Sequence, residues 1–342
     1  MNLSIIVPTK NRLYYIKKLI RYYSLINFQG KLIILDSSEK NISEEILKEV
    51  SINTSLKIEY FHSIGLPCAM MKKYINNIQT KYVVFSGDDD YFIKEGIQSC
   101  IDFLDNNFDF SGCTGEGISI HSSTKNNKID YITKYEQAKI YAISSVARIK
   151  QLYKHYKVPI FSIFRKEVFA KFLEVVPSSD VFRDLCPDKA IADEYIIEGA
   201  MVAYGNIQYL NDPYLVRHIH KERNIDNLVP DFKKDWIKTP NFEKSITFFF
   251  VKISKIISEI DNIEENEALK ILKQNFDYHL QYELKREKQY MKKIFFSKTI
   301  LRINFIKNFR YFLKKNFFTK QKYFKLKSNN KYKLIIKSIE GN

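Results

Sequence analysis

Short apolar runs alternate with segments of helical period along the first part of the chain. Leu3-Ser-Ile-Ile-Val7 reads as a buried strand, and Pro8-Thr-Lys-Asn-Arg12 is a polar turn behind it. Leu13, Ile16, Leu19, Ile20 and Tyr23 then recur at the spacing of one helix face. Residues 31–35, 56–61 and 81–85 repeat the strand signature, and helices are predicted over 44–50 and from Gly65 to Ile78. Alternation at these lengths predicts an α/β fold, a mostly parallel sheet with helices on both faces. Ligands of such sheets bind beyond the carboxyl ends of the strands. Residues 8–12, 36–38 and 88–90 all follow strands, so these three turns are expected on one rim.

The pattern then becomes less regular. Gly112-Cys-Thr-Gly-Glu-Gly117 reads as a glycine-rich connection, in a stretch with little helical period before Tyr135. Residues 159–164 form a further predicted strand, followed by Arg165 and a helix carrying Val168, Phe169 and Phe172. Another helix is expected from Ile191 to Tyr204, with Gly205 as its C-cap. A strand pattern at 207–210 leads into Asp212-Pro-Tyr-Leu-Val-Arg-His-Ile-His-Lys-Glu-Arg223. From about Asn241 the chain turns to long helices. Ile246, Phe249, Phe250, Ile253, Ile256, Ile257 and Ile260 make one apolar face, and Leu269, Leu272, Phe276, Leu280 and Leu284 another. Both read as packing surfaces. The chain thus divides into a body, residues 1–235, and a helical extension, residues 236–342.

Charge changes the picture of that extension. The formal net charge is +16, yet residues 1–284 balance at 37 basic and 37 acidic side chains. Residues 285–342 carry 18 Lys or Arg against Glu287 and Glu340. Ile294, Leu301, Phe305, Phe309, Leu313 and Phe317 follow helical spacing there, with Lys292, Lys298, Arg302, Lys307, Arg310 and Lys314 among them. A basic, aromatic-rich amphipathic segment is expected to bind an anionic membrane surface, at about 1 kcal/mol per basic residue near the surface. Docking on the body or on a partner chain is the other reading of the same aromatics. No nucleic-acid motif accompanies the charge, so no nucleic acid is expected as a partner. No apolar run reaches the length of a membrane-spanning helix, and the N-terminus reads as a strand rather than a signal peptide. Cys68, Cys100, Cys113 and Cys186 lack C-x-x-C pairing and read as buried, reduced thiols.

The densest chemistry is in Lys81-Tyr-Val-Val-Phe-Ser-Gly-Asp-Asp-Asp-Tyr-Phe92. Three adjacent carboxylates repel one another, so a fold keeps them together where something positive sits. Hard oxygen ligands suit Mg²⁺ or Mn²⁺; a solvated acidic turn is the alternative. The chain has neither G-x-G-x-x-G nor G-x-x-x-x-G-K-[ST], which disfavours a dinucleotide dehydrogenase or a P-loop nucleotide hydrolase.

Ser4-Ile-Ile-Val-Pro-Thr-Lys-Asn-Arg12, Leu35-Asp-Ser-Ser38 and Phe85-Ser-Gly-Asp-Asp-Asp90 together resemble the family-2 glycosyltransferases of the Rossmann-like GT-A fold, over roughly residues 1–222. The resemblance implies Pro8, Thr9, Asn11, Arg12 and Asp36 as contacts of a nucleotide-sugar donor, joined by Asp88 and Asp89. It implies Asp88 and Asp90 as a D-x-D pair holding Mn²⁺ or Mg²⁺ on the donor diphosphate. A second alignment, with Gly87 in place of an Asp, shifts the ligands to Asp89 and Asp90. The family's Gly…Ala-Arg-Asn helix start corresponds here to Gly65, Ala69 and then Met70-Met71, leaving Lys72 as the expected phosphate contact. In Ile191-Ala-Asp-Glu-Tyr-Ile-Ile-Glu-Gly-Ala200 the family's acidic pair falls on Asp193 and Glu194, one of them the catalytic base. Counting back from Gly205 favours Glu194, and side-chain type favours Asp193. Complementing a helix dipole is the alternative role for both. His220 or His218 is implied as an auxiliary metal or phosphate contact. On a strand these two share one face and Arg217 takes the other. Histidine spacing does not suggest zinc.

The expected protein is therefore a metal-dependent, inverting sugar transferase of bacterial surface-glycan synthesis, cytoplasmic and peripheral at the membrane. Its acceptor would be a glycan or a lipid-linked molecule. An acceptor hydroxyl, with a pKa far above neutrality, benefits from a carboxylate base. A cation can neutralise the leaving phosphate. The alternatives are a sugar-phosphate nucleotidyltransferase, whose usual glycine-rich first loop is missing here, and a non-catalytic membrane-recruited scaffold of the same fold.

Overall fold

The four N-terminal apolar runs form the parallel half of one sheet. The computed structural model describes residues 1–52, 56–122, 129–177, 181–220, 233–300, 326 and 329–340. In it β1 (Leu3–Thr9) lies between β2 (Lys31–Asp36) and β4 (Tyr82–Phe85), with β3 (Lys57–His62) outside β2, all parallel. Leu3, Ile5, Ile6, Val7, Leu32, Ile33, Val83 and Val84 are all buried, so these strands are covered on both faces. Helices α1 (Leu13–Leu25), α2 (Ser43–Ile52), α3 (Pro67–Tyr74) and α4 (Lys94–Asn106) provide cover. On α1 the predicted stripe of Ile16, Leu19, Ile20 and Tyr23 is buried, joined by Tyr22.

The other half of the sheet is mixed. The strand order is β3-β2-β1-β4-β8-β6-β9-β5, with β7 on the side of β6. Here β5 is Tyr91–Phe92, β6 Phe110–Ser122, β7 Ile129–Tyr135, β8 Ile163–Arg165 and β9 Asn206–Ile219. β8 runs antiparallel to both β4 and β6, and β9 runs parallel to β6. Two sequence expectations change. The glycine-rich stretch is not a connection but the middle of β6, where a Cβ on Gly115 would lie 2.6 Å from the Asp212 carbonyl. Glycine serves close approach of the strands there. Residues 159–162 are not strand: the Ser162 amide donates to the Pro159 carbonyl at 2.9 Å, and only the following residues pair as β8.

Helices α5 (Ser145–Lys154), α6 (Lys166–Glu174), α7 (Val181–Leu185) and α8 (Ile196–Tyr204) follow. The expected helix start at Ile191 is a π-helical turn over Ile191–Tyr195, in which the Ile196 amide reaches the Ile191 carbonyl. Gly205 ends α8 in an extended conformation, with φ of 175°, rather than left-handed. A Cβ there would meet Ser111 Oγ at 2.5 Å, so contact with β6, not capping geometry, demands glycine.

The extension continues with α9 (Lys233–Trp236), α10 (Pro240–Asp261) and α11 (Glu265–Ile300). Its apolar faces are packing surfaces: α10 lies on α8, and α11 on α5 and α10. Phe249, Ile253 and Ile257 of α10 are buried, as are Leu272 and Phe276 of α11. Most of the basic segment, residues 301–325 together with the side chains of 290–300, lies outside the described residues. Its end does not. Helix α12 (Asn330–Glu340) packs against α1, burying Tyr332, Ile335, Ile336 and Ile339. Each such side chain stabilises by about 2 kcal/mol before ordering costs. Lys18 of α1 donates to the Ile339 carbonyl at 3.1 Å, serving the open C-terminal end of α12. The stripe expected to meet a membrane, Ile294 to Phe317, lies outside the described residues, whereas the apolar face of these last residues is taken by the protein itself. Among the described residues no helix is long and apolar enough to cross a membrane.

Candidate active site at the carboxyl rim of the sheet

The strand register delivers the three polar turns to one place. Beyond the ends of β1, β2 and β4, the Ser37 amide still bonds the Thr9 carbonyl and the Ser86 amide the Ile6 carbonyl, both at 2.9 Å. Asp36 is fully buried and orders its own loop. Its oxygens accept from the Ser38 amide at 2.9 Å, the Ser38 hydroxyl at 2.5 Å and the Tyr60 hydroxyl at 2.6 Å. Asn11 takes a left-handed φ of 56°, which asparagine tolerates better than most residues, and its amide donates to Ser38 Oγ at 2.7 Å. Pro8, half-buried in β1 opposite Leu35, sets the direction of that turn.

The Asp triplet is folded inward. The Asp90 amide turns back to the Gly87 carbonyl at 3.3 Å, and a Cβ on Gly87 would lie 2.9 Å from Asp90 Oδ2 and 3.0 Å from Asp89 Oδ1. Gly87 makes room for the carboxylates. Asp88 accepts from Thr9 Oγ1 at 2.8 Å and from Arg12 Nε at 2.9 and 3.0 Å. Asp89 accepts from Arg12 Nη2 at 2.5 Å and from His220 Nε2 at 2.9 Å. In that tautomer His220 Nδ1 faces the Tyr15 hydroxyl at 3.2 Å. Tyr15 sits between its partners, with the Arg12 guanidinium 4.1 Å from its ring centroid and the His220 ring stacked at 4.8 Å. Asp90, almost fully buried, accepts from Arg217 Nε and from the His218 amide, both at 3.2 Å. His218 itself bonds Ser122 Oγ at 2.7 Å.

The electrostatics follow from burial and adjacency. Burial, then the neighbouring Asp89 charge, push the Asp88 carboxyl up to about 7 against the pull of Arg12. Asp89 goes the other way: burial opposes its charge, but the His220 hydrogen bond and Arg12 hold it below the usual carboxylate range. Adjacent acids that interact so strongly titrate as a pair. Burial and the nearby His220 lower the His218 imidazole to about 3, leaving it neutral near pH 7.

A second acid cluster is linked to this network through two tyrosines. Arg217 continues from Asp90 to the Tyr135 hydroxyl at 3.4 Å and lies 4.4 Å from the Phe161 ring centroid. Tyr135 lines an open cavity of about 380 Å³ together with Lys134, Glu136, Tyr156, Lys157 and Val158. Tyr156 connects this cavity to the π-helical turn: its hydroxyl contacts Glu194 Oε1 at 2.8 Å and Glu198 Oε2 more closely. The turn is anchored from beneath. Asp188 accepts from the Ile191 amide at 3.0 Å and from Trp236 Nε1 at 2.7 Å, while its own amide donates to Ser245 Oγ at 2.8 Å. The extension thereby holds the element that presents Glu194.

Residues 4–173 match the family described as glycosyl transferase family 2. The chain is a family-2-type glycosyltransferase. No curated protein matches it. Among solved structures, S. aureus TarS 1-349 in complex with UDP-GlcNAc is similar, with a TM-score of 0.50 and 17% identity, over 82% of this chain and 73% of that one. The complex of the same protein with UDP gives 0.50 and 17%, over 82% and 72%. Against the crystal structure of longer S. aureus TarS the TM-score is 0.49 at 17% identity, and the transferase aligns with 43% of that chain. The likeness at 0.50 concerns the fold.

The transferase thus brings Thr9, Arg12, Asp88, Asp89, Asp90 and His220 into one network, with Pro8, Asn11 and Asp36 shaping the loops beside it. Lys72 is a correction. Instead of facing the rim it donates to the Val176 carbonyl and, at 3.4 Å, to that of Glu174, because α3 packs on α6 and that helix ends there with unpaired carbonyls. Glu194 bonds Tyr156, which lines the cavity, and Asp193 shares its turn, although the Asp193 side chain lies outside the described residues. Sequence reasoning missed Arg217, which it set on the face opposite the histidines, and Tyr135, Tyr156 and Glu198. The one available signal was Glu198, four residues after Glu194.

Whether these residues fit a divalent cation can be tested on their contacts. Three carboxylates and an imidazole are a suitable donor set for Mg²⁺ or Mn²⁺. Their arrangement is not: Arg12, His220 and Arg217 already hold the oxygens that a cation needs. Among the described residues no three acidic, histidine or cysteine side chains group to hold a metal ion. As arranged here, the rim does not fit the cation.

Proposed function

We propose that this transferase moves a sugar from a nucleotide-sugar donor to a hydroxyl of a glycan or lipid-linked acceptor, inverting the anomeric carbon, in bacterial surface polysaccharide synthesis. The observation that carries this reading is the run of contacts from two acid clusters to one cavity wall, Asp90 by way of Arg217 to Tyr135, and Glu194 to Tyr156, with Tyr135 and Tyr156 both lining the cavity. Arg12 and Arg217 are guanidinium forks, whose geometry matches phosphate as well as carboxylate. On donor binding they turn toward the diphosphate. Glu194 takes the proton from the acceptor hydroxyl, the oxygen forms its bond to the anomeric carbon, and the bond from that carbon to the nucleotide diphosphate breaks with its electron pair.

The similar TarS structures are complexes with UDP-GlcNAc and UDP, which makes UDP-sugars the first donors to try. Thermal shifts with UDP-, GDP-, CMP- and dTDP-sugars, with and without Mn²⁺, test the reading, because a ligand at 100 times its Kd stabilises the native state by about 2.7 kcal/mol. No shift and no donor turnover with any of them would overturn it. Glu194→Gln is expected to lower transfer by roughly 10²–10⁴-fold with little change in donor KM. Full activity in that variant moves the base to Asp193.

A further inference from the structure

Glu194 and Glu198 are four residues apart across the π-helical turn and the first turn of α8, a spacing at which like charges on one helix face repel. Both contact one hydroxyl, that of Tyr156. A phenol has a single proton to donate, and an ionised carboxylate can only accept. Two charged carboxylates cannot both be satisfied by Tyr156. The contacts become complementary if one carboxyl carries a proton and donates to the phenol oxygen, which then donates to the other.

Burial decides which. Glu198 is 0% exposed, and its Oε1 has no hydrogen-bond partner among the described residues. Glu194 is only partly buried. The titratable groups around the pair are Tyr156 and Tyr153 from α5 and the loop after it, Tyr195 from the turn, Tyr135 from β7, and His279 and Glu283 from α11. Among the described residues no lysine or arginine acts on Glu198. Burial first, and then the Glu194 charge, raise the Glu198 carboxyl well above the ordinary range.

We propose that Glu198 is a neutral carboxylic acid and a positioning residue: it donates to Tyr156, so that Tyr156 donates to Glu194 and fixes that carboxylate beside the cavity that Tyr156 lines. The proton stays on Glu198 through the reaction; only Glu194 exchanges one with the acceptor. The proposal rests on Glu194 as the base, and its test separates the two ideas.

Infrared spectroscopy of the protein labelled with ¹³C-glutamate distinguishes a protonated Glu from Asp88. A protonated-glutamate C=O band is expected at neutral pH, where an ordinary glutamate is ionised, and is expected to vanish in Glu198→Gln. Absence of that band in the folded wild-type protein overturns the proposal. In kinetics, Glu198→Leu should lower kcat roughly tenfold and Glu198→Gln, which keeps a neutral donor on the same stem, should restore most of it. Tyr156→Phe removes a hydrogen bond to the charged form of the base, so the acid limb of its pH–rate profile should move to higher pH. An unmoved limb, or Glu198→Gln as inactive as Glu198→Leu while circular dichroism shows both folded, overturns the proposal. Should Glu194→Gln remain active with the infrared band intact, the base assignment fails instead.

Discussion

Arg217 and Asp90 allow the balance of charge at the rim to be measured. Their N···O separation is 3.2 Å, and their side chains are 13% and 1% exposed. At an effective dielectric of about 20 the attraction is about 5 kcal/mol. Arg217→Met removes one partner and leaves Asp90 buried with the His218 amide as its remaining backbone donor at 3.2 Å. Breaking such a pair from one side is destabilising by about 3–5 kcal/mol. For a chain of 342 residues that corresponds to a fall in melting temperature of about 4–7 °C. Asp90→Asn removes the nearest counter-charge of the arginine in turn, leaving the weaker pull of Asp89. In the double variant neither charge remains, so it should be more stable than the sum of the single effects by about 2–3 kcal/mol. Arg217 also loses its bond to Tyr135 and its place over Phe161, but these losses occur in both arms of the cycle and cancel. Urea unfolding of the four proteins at neutral pH measures the coupling. Additivity within about 0.5 kcal/mol would refute the reasoning, because Asp90 would then not depend on Arg217 for its charge.

Three further outcomes are expected. Mn²⁺ alone should leave the melting temperature unchanged, since Arg12, His220 and Arg217 occupy the carboxylates; Mn²⁺ with UDP should raise it if a cation enters with a diphosphate, and a shift with Mn²⁺ alone would contradict the contacts at the rim. Glu198 has a folded-state pKa above its unfolded value, so its contribution is fully present below the unfolded pKa and is lost as pH rises toward the folded one. Glu198→Gln should therefore lose less stability than the wild type between pH 5 and pH 8, read from urea midpoints at about those two values; parallel curves would count against a neutral Glu198. Replacing Arg302, Lys307, Arg310 and Lys314 by Gln should weaken sedimentation with anionic liposomes while leaving α12 on α1, and unchanged sedimentation would remove the membrane role of the basic segment. Truncating the whole extension would be a poorer test, because α10 and α11 cover the body and α12 buries Tyr332, Ile335, Ile336 and Ile339.

Much of the rim was legible before any coordinates. Residues 3–7, 32–35 and 82–84 are buried on both faces, so apolar side chains recur there with little interruption and mark the strands directly, while the outer strand at 57–62 is only half-buried. Polar side chains immediately after such runs fall at strand ends, which brought Thr9, Arg12, Asp36 and the Asp triplet to one side of the sheet. The mixed half was harder because its signals are local exceptions. β6 is written with glycines where backbones approach closely, and residues 159–162 have strand composition but make a turn. Lys72 had the chemistry of a phosphate contact, yet its reach is captured by the carbonyl end of α6.

Element type and the position of charge along the chain were determined by sequence, since periodicity and adjacent carboxylates are one-dimensional properties. Which charges meet was decided only by the tertiary structure. Asp90 and Arg217 are separated by 127 positions, Asp89 and His220 by 131, and Tyr156 and Glu198 by 42. No local pattern encodes such pairs; they exist because strand order and helix packing place their backbones within side-chain reach. The same holds for α12, whose apolar face would suit a bilayer equally well until α1 is found beneath it.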